Sequence, residues 1–355
     1  MNQRNGELKQ LYLRVFKGQE DYIPFIITLP CPNAPTLEDY WHDLPAAVLK
    51  AAELFKPRLQ IGSDWIPTIA AGMYHCISVP SLFGAEVVKL DGSDPLIHPC
   101  FKTIDEALEA GTPPVKGEII DRMIKDVRAA HKSITQQGYK FCFPATASPF
   151  DLAQLMLGEE FLLSLVLRPD KAQTFLVNLS KLAIEIINIV KAEMNEPKNE
   201  YNAGKGYFFP GFRLPSDAIV NYSPSILRNV LPGILKIFGQ EYENLCVHYC
   251  TEPAPSQHIL PALLESEYVI AVDNHHGPDV FIGENTPAPF QDKITIASTT
   301  DLTTPEKMDQ LLAKEALRKV KRKGGRGFIV FTEAESVDHG KKLYQQWHRR
   351  MAKLH

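Results

Sequence analysis

The sequence has no run approaching the ~20 consecutive apolar residues that span a bilayer, so no membrane span is expected. Its opening, Met1-Asn2-Gln3-Arg4-Asn5-Gly6-Glu7, lacks the apolar core of a secretory signal. Cysteine is sparse: six, at 31, 76, 100, 142, 246 and 250, scattered as free thiols of a reducing cytosol would be, not as a disulfide scaffold. The expectation is a cytoplasmic protein. Positive charge is not in excess either. With 38 Lys+Arg against 42 Asp+Glu the net charge is −4, which argues against the basic face of a duplex nucleic-acid binder. The one basic run, Arg318-Lys319-Val320-Lys321-Arg322-Lys323, reads as the solvated end of a helix, where cations oppose the macrodipole favourably. No G-x-G-x-x-G, P-loop, H-E-x-x-H or G-x-S-x-G occurs, so dinucleotide, nucleotide, zincin and α/β-hydrolase readings have no support. Low-complexity tracts, internal repeats and Gly/Ser linkers are also missing, which excludes collagen, coiled coil and wholesale disorder. A single domain over residues 1–355 is expected, with a loop-rich stretch at Asn195–Leu214.

What the chain does have is 45% hydrophobic residues arranged as short apolar runs, each followed by a helical pattern. That alternation is the signature of α/β architecture. The runs are Tyr22–Leu29, Leu59–Ile66, Tyr139–Pro144, Gly204–Phe209, Asn244–Tyr249, Glu267–Val272, Lys293–Ala297 and Gly327–Phe331, with a further hairpin near Glu86–Leu90. Eight such runs suit a closed (βα)8 TIM barrel with an extra N-terminal helix and loop insertions. From Pro169 to Met194, Ala172, Phe175, Leu176, Leu179, Leu182, Ala183, Ile186, Ile187 and Val190 recur at three and four, predicting one long helix with a single buried stripe. Ile120, Ile124, Val127 and Ile134 predict another, closed by Gly138. Ser223-Pro224 and Thr304-Pro305 each place a capping hydroxyl before a proline at the first helical position. Met73-Tyr74-His75-Cys76 reads as a structural helical segment, and Gly204-Lys205-Gly206-Tyr207 as a flexible lead into a strand.

In a barrel of this kind the chemistry projects from the C-terminal strand ends. The fifth run ends His248-Tyr249-Cys250 and the sixth Asp273-Asn274-His275-His276. Residues two apart in a strand share a face, so His248 and Cys250 converge. An imidazole and a thiolate are good zinc ligands, and a catalytic zinc takes about three protein ligands with one position open. Arg213 and Asp217 follow the fourth run.

Several segments together resemble the uroporphyrinogen decarboxylase superfamily, which also contains the cobalamin-dependent methyltransferases acting on coenzyme M. Ala145-Thr146-Ala147-Ser148-Pro149-Phe150-Asp151-Leu152-Ala153, followed by Leu165-Val166-Leu167-Arg168-Pro169-Asp170, is similar to its G-P-F-x-L-A segment and D-P-E helix start. Tyr222-Ser223-Pro224-Ser225-Ile226-Leu227 with Val230-Leu231-Pro232 is similar to I-S-P-x-x-F and x-L-P-Y. Val247-His248-Tyr249-Cys250 resembles the H-x-C-G of the methyltransferase branch, with Thr251 in place of the glycine, and Asp64 with Phe83-Gly84-Ala85-Glu86 resembles a further family segment. The likeness covers roughly residues 20–350 and implies a TIM barrel. The decarboxylases' arginine-rich segment after the first strand is replaced by Leu29-Pro30-Cys31-Pro32-Asn33-Ala34-Pro35, which offers no arginine to clamp substrate carboxylates. The methyltransferases' second zinc cysteine is also missing, since no cysteine follows Cys250; Glu333 stands in that neighbourhood and carboxylates too ligate zinc.

The resemblance therefore implies a zinc-assisted methyltransferase moving a methyl group between a corrinoid and a small thiol acceptor. Zinc is expected on His248, Cys250 and Glu333; Asp217, Asp273 and His275 are expected to orient the acceptor or shuttle protons, and Arg213, Tyr207 and His276 to bind substrate. No cobalamin-binding segment is visible, so the corrinoid is expected on a separate protein. Decarboxylation of uroporphyrinogen or another carboxylate-rich substrate, as a lyase, and a non-catalytic corrinoid- or partner-binding barrel are the alternatives. A homodimer is expected on general grounds.

Overall fold

A computed structural model describes residues 2–89, 92–250, 258–274, 294–297, 302–320 and 328–353. The chain is mixed α/β, and among the described residues eight strands pair in parallel: β1 (Phe25–Thr28), β2 (Thr68–Ala70), β3 (Lys140–Cys142), β4 (Phe212–Pro215), β5 (Leu245–Tyr249), β6 (Val269–Asn274), β7 (Ile294–Ala297) and β8 (Phe328–Glu333). Six form one ladder in the order β1-β8-β7-β6-β5-β4, and β2 pairs with β3 in another. Every pairing in both ladders is parallel. The six-stranded register sets Pro215 and Asp273 on either side of His248, so three strand ends meet at one point.

Two-sided burial explains why these strands read as nearly continuous apolar runs. All five residues of β5 are buried, as are the first five of β8. The two faces go to different neighbours. Phe25 and Ile27 of β1, with Phe328 and Val330 of β8, pack in a cluster with Met308, Leu343 and Trp347 of the flanking helices Pro305–Val320 and Val337–Met351. Ile26, Ile329 and Phe331 point the other way, into the main core. That core also takes the stripe of the helix Pro169–Glu193, in which all nine residues expected from the periodicity are buried. A helix Asn2–Phe16 precedes β1, and Phe16 packs edge-on against Phe209 at 5.0 Å.

Two strand expectations shift. Leu59–Ile66 is not a strand: Leu59 ends the helix Leu44–Leu59, Gly62 turns at φ 75°, and β2 begins at Thr68. The apolar residues 61–66 are buried all the same, with backbone partners off any ladder: Asp64 N donates to Phe25 O and Ile66 N to Gly206 O. Gly204–Phe209 is not a barrel-type strand either; Phe208–Phe209 pairs antiparallel with Tyr201–Asn202, and the parallel strand follows at Phe212. The hairpin expected near Glu86–Leu90 is present, Val87–Val88 against Leu96–Ile97. Among the described residues the two ladders share no strand pairing, so their hydrogen bonds trace two arcs, not a closed ring. Pro67 precedes β2 and Pro144 follows β3, and neither has an N–H to donate to a neighbouring strand.

Candidate metal centre

His248 comes to the ladder's C-terminal edge on β5, and Cys250 lies just beyond the strand. As strand geometry requires, the two side chains meet: His248 Nε2 lies 2.9 Å from Cys250 Sγ. A third group arrives from the neighbouring strand. Ser216 N donates to His248 O at 2.7 Å, and the chain then turns into the 3-10 helix Asp217–Asn221. Asp217 Oδ1 accepts from Cys250 N at 2.7 Å and stands 3.9 Å from His248 Nε2. One ligand atom from each of Asp217, His248 and Cys250 lies within 4.8 Å of the others, so an imidazole nitrogen, a thiol sulfur and a carboxylate oxygen converge. This donor set fits a borderline-soft dication such as zinc.

The electrostatics point the same way. Burial, and after it the Asp217 carboxylate, push the Cys250 thiol up to about 12. A neighbouring anion that opposes the thiolate is the arrangement a dication relieves, because a metal-bound thiol is deprotonated.

Behind the imidazole sits Asp273, on β6 and fully buried. His248 Nδ1 lies 3.0 Å from its backbone carbonyl and 3.3 Å from its Oδ2. Arg213 Nε donates to the same Oδ2 at 2.7 Å, and Lys205 Nζ lies 3.6 Å from Oδ1. Burial alone raises a carboxyl, but Arg213, Lys205 and His248 hold Asp273 well below the usual range. Lys205 reaches this point because Gly206 runs at φ 87° against Trp65; a Cβ there would meet the indole Cδ1 at 1.9 Å.

Two of the three donors, Asp217 and His248, line a cavity of about 870 Å³, and Arg213 lines it with them. Other wall residues escaped the sequence reading. His75 and Cys76, taken there as part of a structural helix, lie in turns before the helix Ser78–Leu82 and line the cavity. Asp151 lines it too, and burial raises its carboxyl to about 7 against the hydrogen bonds from Ala218 N and Ser148 Oγ. Asp94 and Glu159 bring the carboxylates among the described lining residues to four.

The remaining expected site residues fall elsewhere. Tyr207 is fully buried between Tyr12 and Phe331 and is not among the residues lining the cavity. Glu333 ends β8 exposed and is not part of the three-donor group. His275 and His276 lie outside the described residues.

No protein-family profile matches the chain, and no curated protein does. Among solved structures it is similar to a methyltransferase from Methanosarcina mazei, with 15% identity, a TM-score of 0.60, and 97% of this chain and 98% of that one covered. At that identity the likeness speaks for the fold. Among the described residues no helix is long and apolar enough to cross a membrane.

Proposed function

We propose that the chain is a zinc-assisted methyltransferase of the uroporphyrinogen decarboxylase-like type, moving a methyl group between a corrinoid carried on a separate protein and a small thiol acceptor. The observation that carries this reading is the convergence of Asp217, His248 and Cys250, two of which, Asp217 and His248, line one large cavity. Three protein donors is the number catalytic zinc sites use, with a fourth position left to water or substrate. Asp217 takes the place that Glu333 was expected to fill. Zinc, when bound, supplies a Lewis acid that keeps a thiol as thiolate near neutral pH. In the transfer the sulfur–carbon bond forms as the cobalt–carbon bond breaks, the bonding pair stays on cobalt, and the acceptor's thiol proton passes to solvent. The fold supports the same assignment. The two ladders read as arcs of one (βα)8 barrel, joined on one side by Asp64 N to Phe25 O, and the site lies at C-terminal strand ends, where such barrels carry their chemistry.

The lining supports methyl transfer over decarboxylation of a polycarboxylate. Asp94, Glu159 and Asp217 line the cavity beside Asp151, whose carboxyl is raised to about 7, and Arg213 Nε is engaged by Asp273. A wall of that sign repels a carboxylate-rich porphyrinogen.

The test is metal analysis of the full chain after zinc loading, beside a His248→Ala/Cys250→Ala variant, with methylcobalamin and a thiol as reactants. Wild type is expected to retain one zinc and form the thioether, and the variant to retain none and lose at least about 100-fold in rate. Equally low zinc in both proteins would remove the reading.

A further inference from the structure

The arrangement behind His248 assigns roles to three residues that are not themselves proposed ligands. His248 Nδ1 lies 3.0 Å from the Asp273 carbonyl oxygen. A carbonyl has no proton to give, so Nδ1 must be the protonated ring nitrogen. In the neutral imidazole Nε2 then keeps its lone pair, and Nε2 is the atom facing Cys250 Sγ and Asp217 Oδ1. The Asp273 carboxylate reinforces this from 3.3 Å. It has no solvent exposure, and a buried carboxylate must be paired to persist. Arg213 at 2.7 Å and Lys205 at 3.6 Å provide that pairing from opposite oxygens. Lys205 is not among the residues lining the cavity, so its charge serves Asp273 and not a bound substrate.

We propose that Asp273 is a positioning residue that presents His248 Nε2 to the metal, and that Arg213 and Lys205 act on the metal site by pairing with Asp273. This rests on the zinc reading above. Carboxylate partners of ligating histidines fix the tautomer and raise ligand basicity, and their loss typically costs ~10–100-fold in metal affinity.

Two measurements on the full chain test it. Zinc affinity, read by competition with a chromogenic chelator, is expected to fall roughly 10–100-fold in Asp273→Asn, with circular dichroism reporting that the variant is folded. Long-range ¹H–¹⁵N correlation on metal-free wild type, with His248 assigned through a His248→Gln variant, is expected to place the ring proton on Nδ1. This second readout needs no folded Asp273 variant, and a purely structural Asp273 would not move the first. A folded Asp273→Asn with wild-type zinc affinity, or a ring proton on Nε2, overturns the proposal. Wild type that binds no zinc removes the preceding reading and this one together, whereas wild-type binding with an unaffected Asp273→Asn removes only this one.

Discussion

Cys250 lies between His248 and Asp217, its Sγ 2.9 Å from His248 Nε2 and its N–H donating to Asp217 Oδ1. Burial first, and then the Asp217 carboxylate, raise its thiol to about 12 against the opposing pull of Arg213. At neutral pH a metal-free Cys250 is therefore protonated and a poor nucleophile, which separates this site from a cysteine–histidine dyad. Asp217→Asn is expected to lower the metal-free thiol by at least about one pH unit, speeding its alkylation at pH 9 roughly tenfold. Peptide mapping after iodoacetamide treatment isolates Cys250 from the other five thiols. An unchanged rate–pH profile would mean that Asp217 does not govern the sulfur. His248 and Cys250 were legible in the sequence because a strand's period of two depends on nothing distant. Asp217 was legible only as a nearby acid, since its place beside Cys250, 33 residues on, is made by pairing between strands.

The helix Pro149–Leu157 ties the cavity wall to the segment carrying Asp217. Ser148 caps it, accepting from Asp151 N, and donates its hydroxyl to Asp151 Oδ2, while Asp151 Oδ1 accepts from Ala218 N at 2.6 Å. One first-turn carboxylate thus closes a cap and anchors the next βα segment beside a proposed ligand. Asp151→Ala leaves Ala218 N without that acceptor and is expected to cost about 1–3 kcal/mol. Asp151→Asn keeps the shape and an acceptor, and it also tests the charge. Because the folded carboxyl is raised to about 7 from 3.8, its contribution is fully present below pH 4 and lost as pH rises through 7. Between pH 4.5 and 8 wild type should lose on the order of 3 kcal/mol relative to Asp151→Asn in urea unfolding. Parallel pH dependences would show that the carboxyl is not held protonated. From sequence Asp151 is an ordinary first-turn acid, because nothing local announces the loop that closes over it. Helices were legible for the opposite reason: nine apolar positions in Pro169–Glu193 repeat without outside help. The segments 59–66 and 204–209 were misplaced because burial and strand pairing leave the same apolar mark, and there the buried backbone bonds elsewhere.

Across the whole molecule the question is whether two hydrogen-bonded arcs behave as one unit. Side chains argue that they do. A single core joins Ile69 of β2 and Phe141 of β3 with Leu214, Val247, Val272, Ile329 and Ile26 from the six-stranded ladder. The outer cluster of Phe25, Phe328, Met308 and Trp347 shares β1 and β8 with that core through strand alternation. Neither arc can lose its packing without exposing apolar surface on the other, at about 25 cal/mol per Å². The tryptophans report on both regions. Trp65 lies against Gly206 beside β2, and Trp347 packs at a tilt on Phe25, 4.9 Å between ring centroids, with its indole N–H on Ile23 O. With Trp41 and one of these replaced by phenylalanine, the remaining indole reads one region alone. The urea midpoints from Trp65, from Trp347 and from far-UV circular dichroism are expected to coincide, as all-or-none unfolding requires. Separated midpoints would mean that β2 and β3 form a unit apart from the six-stranded ladder, and the single-barrel assignment would fail with them. A coincident transition would instead mean that Asp217, His248, Cys250 and Asp273 are held by the stability of the entire chain. The metal site would then weaken with global unfolding and not before it.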